Sequence, residues 1–265
     1  MDKKYRVDLH NHTILCNHAT GTTEEYIQRA IDLKIDVFGF TEHAPMNFDE
    51  KYRLKLEDKE FYEKDVLSLK EKYQDKIKIL LGYEVDYLKG DYILPEVIAS
   101  KVDYLIGSVH FINDGWGFDN PEFIGQYKNK NIDTIWEDYF EAITNMAKSN
   151  KFNVVGHLDL IKVFKFLPKK DIKTIAQEAL IQIKKSNMVV EINSAGYRKP
   201  IAEQYPSKEL LEVCYELNIP ITFSSDAHSV DQVGFNYEKA VLLAKEIGYT
   251  KCTYFQEKEK IEVSF

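Results

Sequence analysis

Near-continuous apolar runs alternate with helically spaced apolar stripes from one end of the chain to the other. Arg6–His10, Asp36–Thr41, Ile77–Glu84, Tyr104–His110, Asn153–His157, Val189–Asn193 and Ile221–Ser225 are rich in Val, Ile, Leu and Phe. Runs of this length and content read as parallel strands covered on both faces. Between them the spacing changes to three and four. Thr22-x-x-Glu25 is a capping box, followed by Ile27, Ala30 and Ile31. Phe61, Tyr62, Val66, Leu69 and Tyr73 form a second stripe, and the strongest runs from Ile132 to Ser149. Asp171 and Ser207 are placed as N-caps, and a last helix, Tyr237–Ile247, stops at Gly248. Seven strand–helix units without repeat or linker predict one α/β domain over residues 1–265. Its parallel strands should form a closed or nearly closed barrel, one unit short of the eight-fold form. The tail, Cys252–Phe265, reads as extended and is expected to close the far side. Phe111–Asn131 is the longest irregular stretch, a length that usually signals either function or disorder.

Composition changes this picture little. Of 265 residues, 44% are hydrophobic and 29% charged, an ordinary globular balance. No apolar run approaches the roughly 20 residues a bilayer span needs. Met1-Asp2-Lys3-Lys4-Tyr5 leads directly into the first strand, so no signal peptide is expected. The net charge of −8 argues against a nucleic-acid groove, and no membrane partner is expected. Three scattered cysteines, Cys16, Cys214 and Cys252, do not suggest a disulfide framework. A cytoplasmic enzyme is the expectation, with oligomeric state left open. Cys16, between His12 and His18, is the one cysteine placed near possible metal ligands.

The histidines give the barrel its candidate chemistry. In barrels of this kind the active site lies at the C-terminal ends of the strands. All seven histidines, His10, His12, His18, His43, His110, His157 and His228, fall there, with Glu84 and Asp226 among them. His10 and His12 share one side of an extended segment because strand side chains repeat with period two. Imidazoles mixed with carboxylates, and no paired cysteines, suit catalytic zinc, iron or manganese better than a structural zinc site.

This arrangement resembles the polymerase and histidinol phosphatase (PHP) superfamily. Gly107-Ser108-Val109-His110-Phe111, Trp116-Gly117-Phe118-Asp119 and Asn193-Ser194-Ala195-Gly196-Tyr197-Arg198-Lys199-Pro200 are similar to its stand-alone histidinol-phosphate phosphatases. The resemblance implies a distorted seven-stranded, TIM-like (β/α)7 barrel holding three divalent metal ions. It places His10, His12, Glu84 and Asp226 on the first ion. Glu84 would bridge to a second, held also by His110 and His157, and His18, His43 and His228 would hold the third. The implied reaction is hydrolysis of L-histidinol phosphate in histidine biosynthesis, with hydroxide between the ions joined by Glu84 as attacker.

Other residues are read around that centre. Arg198 is expected to fork onto the phosphate, which Lys cannot copy, with Lys162 as a second anchor where the group has an Arg. Asp119 is placed on the substrate amine or as proton donor to the leaving alkoxide, and Trp116 and Phe118 either over an imidazole ring or in the core. Glu84, Asp226, His228 and Asp119 form the expected catalytic set. Asp8 and Asp159 are expected to orient imidazoles from behind, Glu42 either to do the same or to be a plain surface residue, and Arg6 and Arg29 to be structural. Four readings compete: a nuclease or phosphodiesterase of the same superfamily, a phosphotyrosine phosphatase, an amidohydrolase-type deaminase, and a non-enzymatic module. The deaminase would want a bridging Lys and leave His18 and His43 idle.

Overall fold

The computed structural model describes residues 3–90 and 92–265. Met1 and Asp2, the first residues of the expected leaderless start, lie outside them. Seven parallel strands run in chain order around a nearly closed barrel: Val7–Asp8, Val37–His43, Lys78–Asp86, Tyr104–Ser108, Val154–Val155, Val189–Asn193 and Ile221–Ser224. Every neighbouring pair is parallel, with Val7 opposite Val37 and Val190 opposite Ile221. First and last strands meet through Leu9 N–H to the Phe223 carbonyl (3.0 Å) and His12 N–H to the Ala227 carbonyl (2.9 Å). Parallel order follows from the right-handed helical crossovers that the alternating pattern supplies.

The helices bury the predicted stripes. Thr22 and Glu25 form the reciprocal capping box of Thr23–Asp32, and Ile132–Lys148 buries Ile135, Trp136, Tyr139, Phe140, Ile143, Met146 and Ala147. Asp171 and Ser207 cap Ile172–Lys185 and Lys208–Glu216. Gly248, at φ 123°, ends Tyr237–Ile247 in a conformation few side chains tolerate.

One close approach inside the barrel needs glycine. A Cβ on Gly39 would stand 1.9 Å from the Tyr104 hydroxyl, which crosses the interior to donate to the Leu9 carbonyl at 2.5 Å.

The tail is an antiparallel hairpin, Lys251–Gln256 with Glu259–Ser264. It packs where the strands begin: Tyr5 N–H donates to the Ser264 carbonyl, Lys258 N–H to that of Asp103, and Phe255 stacks on Tyr104. That leaves the strands' C-terminal ends open. Part of the long Phe111–Asn131 segment is ordered at that end, as a two-residue ladder, Phe111–Ile112 with Trp116–Gly117, and a 3-10 stretch, Pro121–Asn129.

Candidate functional site

His10 and His12 lie just past the first strand, in an extended segment held from both sides. Thr41 N–H donates to the Asn11 carbonyl, and Asn11 bridges to Ala227. This preserves the period-two alternation, and both rings are fully buried. Glu84, near the end of the third strand, stands at their focus. Its Oε2 lies 2.9 Å from His43 Nδ1, 3.3 Å from His10 Nε2 and 3.5 Å from His12 Nε2. Its Oε1 lies 2.9 Å from His157 Nε2 and 3.7 Å from His110 Nε2. Asp226 Oδ1 faces His12 Nε2 at 3.3 Å and His228 Nδ1 at 3.5 Å. Glu84 therefore divides the imidazoles into two sets, where an amidohydrolase would carry a lysine.

Two compact donor groups bring together residues expected on one ion: His10, His12 and Asp226, and Glu84, His110 and His157. The third is arranged differently. His228 gathers with His43 and His12 in one group, and with His18 and Cys16 in another. The His18, His43 and His228 ring centroids lie 4.7–6.0 Å apart, spacings that ligands of one ion can hold, although their nitrogens do not gather into one compact group here. Cys16 donates its thiol proton to the Thr13 carbonyl at 3.1 Å, and burial pushes its pKa up.

The donor set suits divalent ions. His10 Nε2, His12 Nε2 and Glu84 Oε2 are buried without hydrogen-bond partners, an arrangement that costs free energy unless a cation satisfies it. Burial works against charge on His10 and His12. The carboxylates Glu191, Glu84 and Asp226 outweigh it at His10 and hold it well above the ordinary imidazole value. Asp226, Glu42 and Glu84 raise His12 to about 9. Asp86 and Glu84 similarly raise His110 to about 10 against its burial. His43 is pushed down to about 4 by burial and by the His12 charge. Glu84 and Asp226 are held well below the carboxylate range by the surrounding imidazoles, despite burial. Protons thus stand in this cluster where ions would displace them.

Two carboxylates orient imidazoles from behind, and a third lies near a ring without bonding to it. Glu191 reaches His10 Nδ1 at 3.0 Å, Asp86 reaches His110 Nδ1 at 2.6 Å, and Glu42 lies 3.5 Å from His12 Nδ1. Glu42 is neither the ring partner nor the surface residue expected: it is buried and accepts from the Thr13 N–H and hydroxyl and the His43 N–H. Glu191 and Asp86 were missed, although each shows in the sequence as a carboxylate near a strand's C-terminal end. Asp8 and Asp159 do something else. Asp8 accepts from the Ser225 hydroxyl and backbone and from Gly234 N–H, tying the first strand to the loop after the last. Asp159 pairs with Lys162 at 3.0 Å and accepts from Ser207 N–H. Neither touches a ring, because their short side chains are taken up by nearer donors.

His157 and Asp226 hold positive φ, 21° and 51°. Such backbone costs about 1–3 kcal/mol per residue and persists only where neighbours enforce it. Glu191 accepts the His157 N–H, and Arg198 Nη2 donates to the Asp226 carbonyl at 2.8 Å.

A cavity of about 570 Å³ opens over the cluster, lined among others by His18, His43, Asp49, Arg53, Asp119, Phe123 and Arg198. Arg198 Nη2 is committed to the Ser225 and Asp226 carbonyls, while Nη1 is buried without a partner. The expected fork is thus half used, with Nη1 left unpartnered. Asp119 is on the wall; burial pushes its carboxyl up, and His110, His157 and Lys199 pull it back.

Lys162 corrects the expectation of a second phosphate anchor. It is 2% exposed and absent from the cavity lining, and its ammonium meets Asp159 at 3.0 Å, Glu203 at 2.8 Å and the Gln204 carbonyl at 2.8 Å. Three donors and three acceptors leave nothing for substrate. Trp116 is likewise buried away from the cavity, packed edge-on against Tyr127 under Lys130, and Phe118 packs edge-on against Tyr139. Arg6 pairs with Glu238 at the start of the first strand, a structural placement as expected. Arg53 was unassigned; nothing in its loop's sequence marks it as part of the site.

Residues 8–195 match the PHP domain model. The chain is 36% identical over 255 residues to "Probable histidinol-phosphatase" of Deinococcus radiodurans, covering 95% of this chain and 97% of that one. It is 28% identical to the histidinol-phosphatase of Bacillus subtilis, over 87% of this chain and 96% of that one. The fold is similar to that of a histidinol phosphate phosphatase from Lactococcus lactis solved with zinc, L-histidinol and phosphate. There the TM-score is 0.78 and the identity 22%, over 98% of this chain and 100% of the other. A barrel of seven parallel strands, a histidine and carboxylate cluster at its open end, and this similarity over nearly the full length place the chain in the PHP domain family.

Proposed function

We propose that the chain is a metal-dependent phosphomonoesterase that hydrolyses L-histidinol phosphate to L-histidinol and phosphate at a trinuclear centre. The observation that carries the reading is Glu84, with one oxygen facing His10, His12 and His43 and the other facing His110 and His157. A shared carboxylate between two imidazole sets is what adjacent ions require. The similarity to histidinol-phosphatases over nearly the whole length supports the substrate.

His10, His12, Glu84 and Asp226 would hold one ion, and Glu84, His110 and His157 a second. His18, His43 and His228 would hold a third. When bound, such ions lower the pKa of water and neutralise phosphoryl charge. The protein's own part is positioning. Arg198 Nη1 offers a charge-assisted donor to a phosphoryl oxygen, a contact worth about 1.5–3 kcal/mol. Asp119, on the same cavity wall and raised by burial, suits either the substrate amine or the proton needed by the leaving alkoxide.

Phosphate release is to be measured from histidinol phosphate, phosphotyrosine, nucleoside monophosphates and an aryl phosphate, on metal-loaded protein. Histidinol phosphate should have the highest kcat/KM. Preference for phosphotyrosine or a nucleotide would overturn the substrate, and activity indifferent to chelation would overturn the metal dependence.

A further inference from the structure

Arg53 is 3% exposed, yet it comes from the loop after the second strand and is not itself a candidate ligand. Its Nη2 donates to Asp86 Oδ2 at 3.0 Å. The other oxygen of that carboxylate lies 2.6 Å from His110 Nδ1. Its Nε and Nη1 donate to the Asp49 and Ala44 carbonyls at 3.0 and 3.2 Å. Ala44 N–H in turn donates to the Glu84 carbonyl. The guanidinium thus joins three things: the carboxylate behind His110, the backbone beside Glu84, and the loop whose Asp49 and Tyr52 line the cavity.

On the metal-centre reading above, we propose that Arg53 is a positioning residue for the ion held by Glu84, His110 and His157. An imidazole ligates through Nε2 only when the proton sits on Nδ1, and an acceptor at Nδ1 fixes both tautomer and ring orientation. Asp86 is that acceptor. A carboxylate with one partnered oxygen can rotate about its χ2 bond; with Arg53 on the second oxygen it cannot. The fork also keeps the buried Asp86 charge paired. Removing Arg53 should loosen His110 while leaving the His10, His12 and Asp226 group, which it does not touch, intact.

Zinc alone is the probe, in chelator-competition titrations of metal-stripped protein: wild type, R53M, R53K, D86N, the R53M/D86N double variant and R6M. In R53M one ion per chain should bind about 10- to 100-fold more weakly, the range for lost outer-shell partners of a ligating His, with the remaining ions as in wild type. D86N should match it, and the double variant should be no worse than D86N alone. R53K, keeping charge without the fork, should recover part of the loss. R6M, at the barrel's opposite end, should bind as wild type. Should R53M not fold, R53K and D86N carry the comparison. R53M affinities equal to wild type, a uniform weakening of every ion, or an equal loss in R6M would overturn the role of Arg53 alone. A wild-type chain that binds no zinc would overturn the metal centre and this role with it.

Discussion

Replacing Lys162 with Met separates two accounts of one residue. The structure makes Lys162 the internal counter-ion of Asp159: the side chains are 2% and 0% exposed and 3.0 Å apart. Met fills a similar volume but leaves Asp159 a buried, unpaired carboxylate and the Gln204 carbonyl without its donor. Breaking such a pair from one side typically costs about 3–5 kcal/mol. A second route gives a similar size. Asp159 can escape by taking a proton, and at pH 7 that costs about 4 kcal/mol for an ordinary aspartate pKa near 3.9. Burial already raises the Asp159 pKa, so the value should lie toward the lower end, about 3–4 kcal/mol. The Glu203 pair, with its carboxylate 39% exposed, adds less than about 1 kcal/mol. For a chain of this size each kcal/mol lowers Tm by roughly 2–4 °C, so K162M should melt about 6–16 °C below wild type. The sign with pH follows from the raised pKa. The folded state holds its proton above the pH at which the unfolded state releases it, so the deficit shrinks as pH falls from 7 toward 5. Calorimetry at several pH values, with KM measured below Tm, is the assay. A variant with wild-type Tm and a KM raised tenfold or more would refute the counter-ion account and restore Lys162 as a phosphate anchor.

Glu84→Gln, which removes the one charge shared by two imidazole sets, should reduce bound metal by at least one ion per chain and abolish turnover, read by elemental analysis and phosphate release. Arg198→Ala should lower kcat/KM on the order of ten- to a hundred-fold from a lost charge-assisted bond; Arg198→Lys should fall nearly as far, since lysine cannot hold the Ser225 and Asp226 carbonyls as well. Unchanged kinetics in both would take Arg198 out of the site. In the metal-free protein His12 and His110 stand at about 9 and about 10. Their protonation stabilises the fold fully below about pH 6.5, the ordinary value, and that contribution disappears as pH rises through 9–10. Metal-free Tm should therefore fall over this window while the loaded protein's does not, and calorimetric zinc binding at pH 7 should release protons.

The order of elements, and the end of the barrel carrying the chemistry, were legible in the chain itself. Period-two and period-3.6 patterns are local, so the run Val189–Asn193 and the stripe from Ile135 to Ala147 declare their element without tertiary context. Parallel order then follows from alternation and handedness, which sends His10, His43, His110 and His228 to a common face. Asp86 and Glu191 were visible as charges in apolar runs, but the choice between core carboxylate and ring partner depends on which strand lies opposite. Where several groups compete for one partner, only the folded arrangement decides. Asp159 is two residues from His157 and three from Lys162, and the ammonium wins because the backbone turn at Leu160–Lys162 brings it to 3.0 Å. Arg198 spends one nitrogen on the backbone of Asp226, a neighbour supplied by another strand end. Arg53, in a loop with no periodicity, reaches Asp86 only because the loop folds back over the third strand. Sequence pattern reports what each residue needs buried or exposed; which partner satisfies a buried charge is a distance, and the tertiary structure alone sets it.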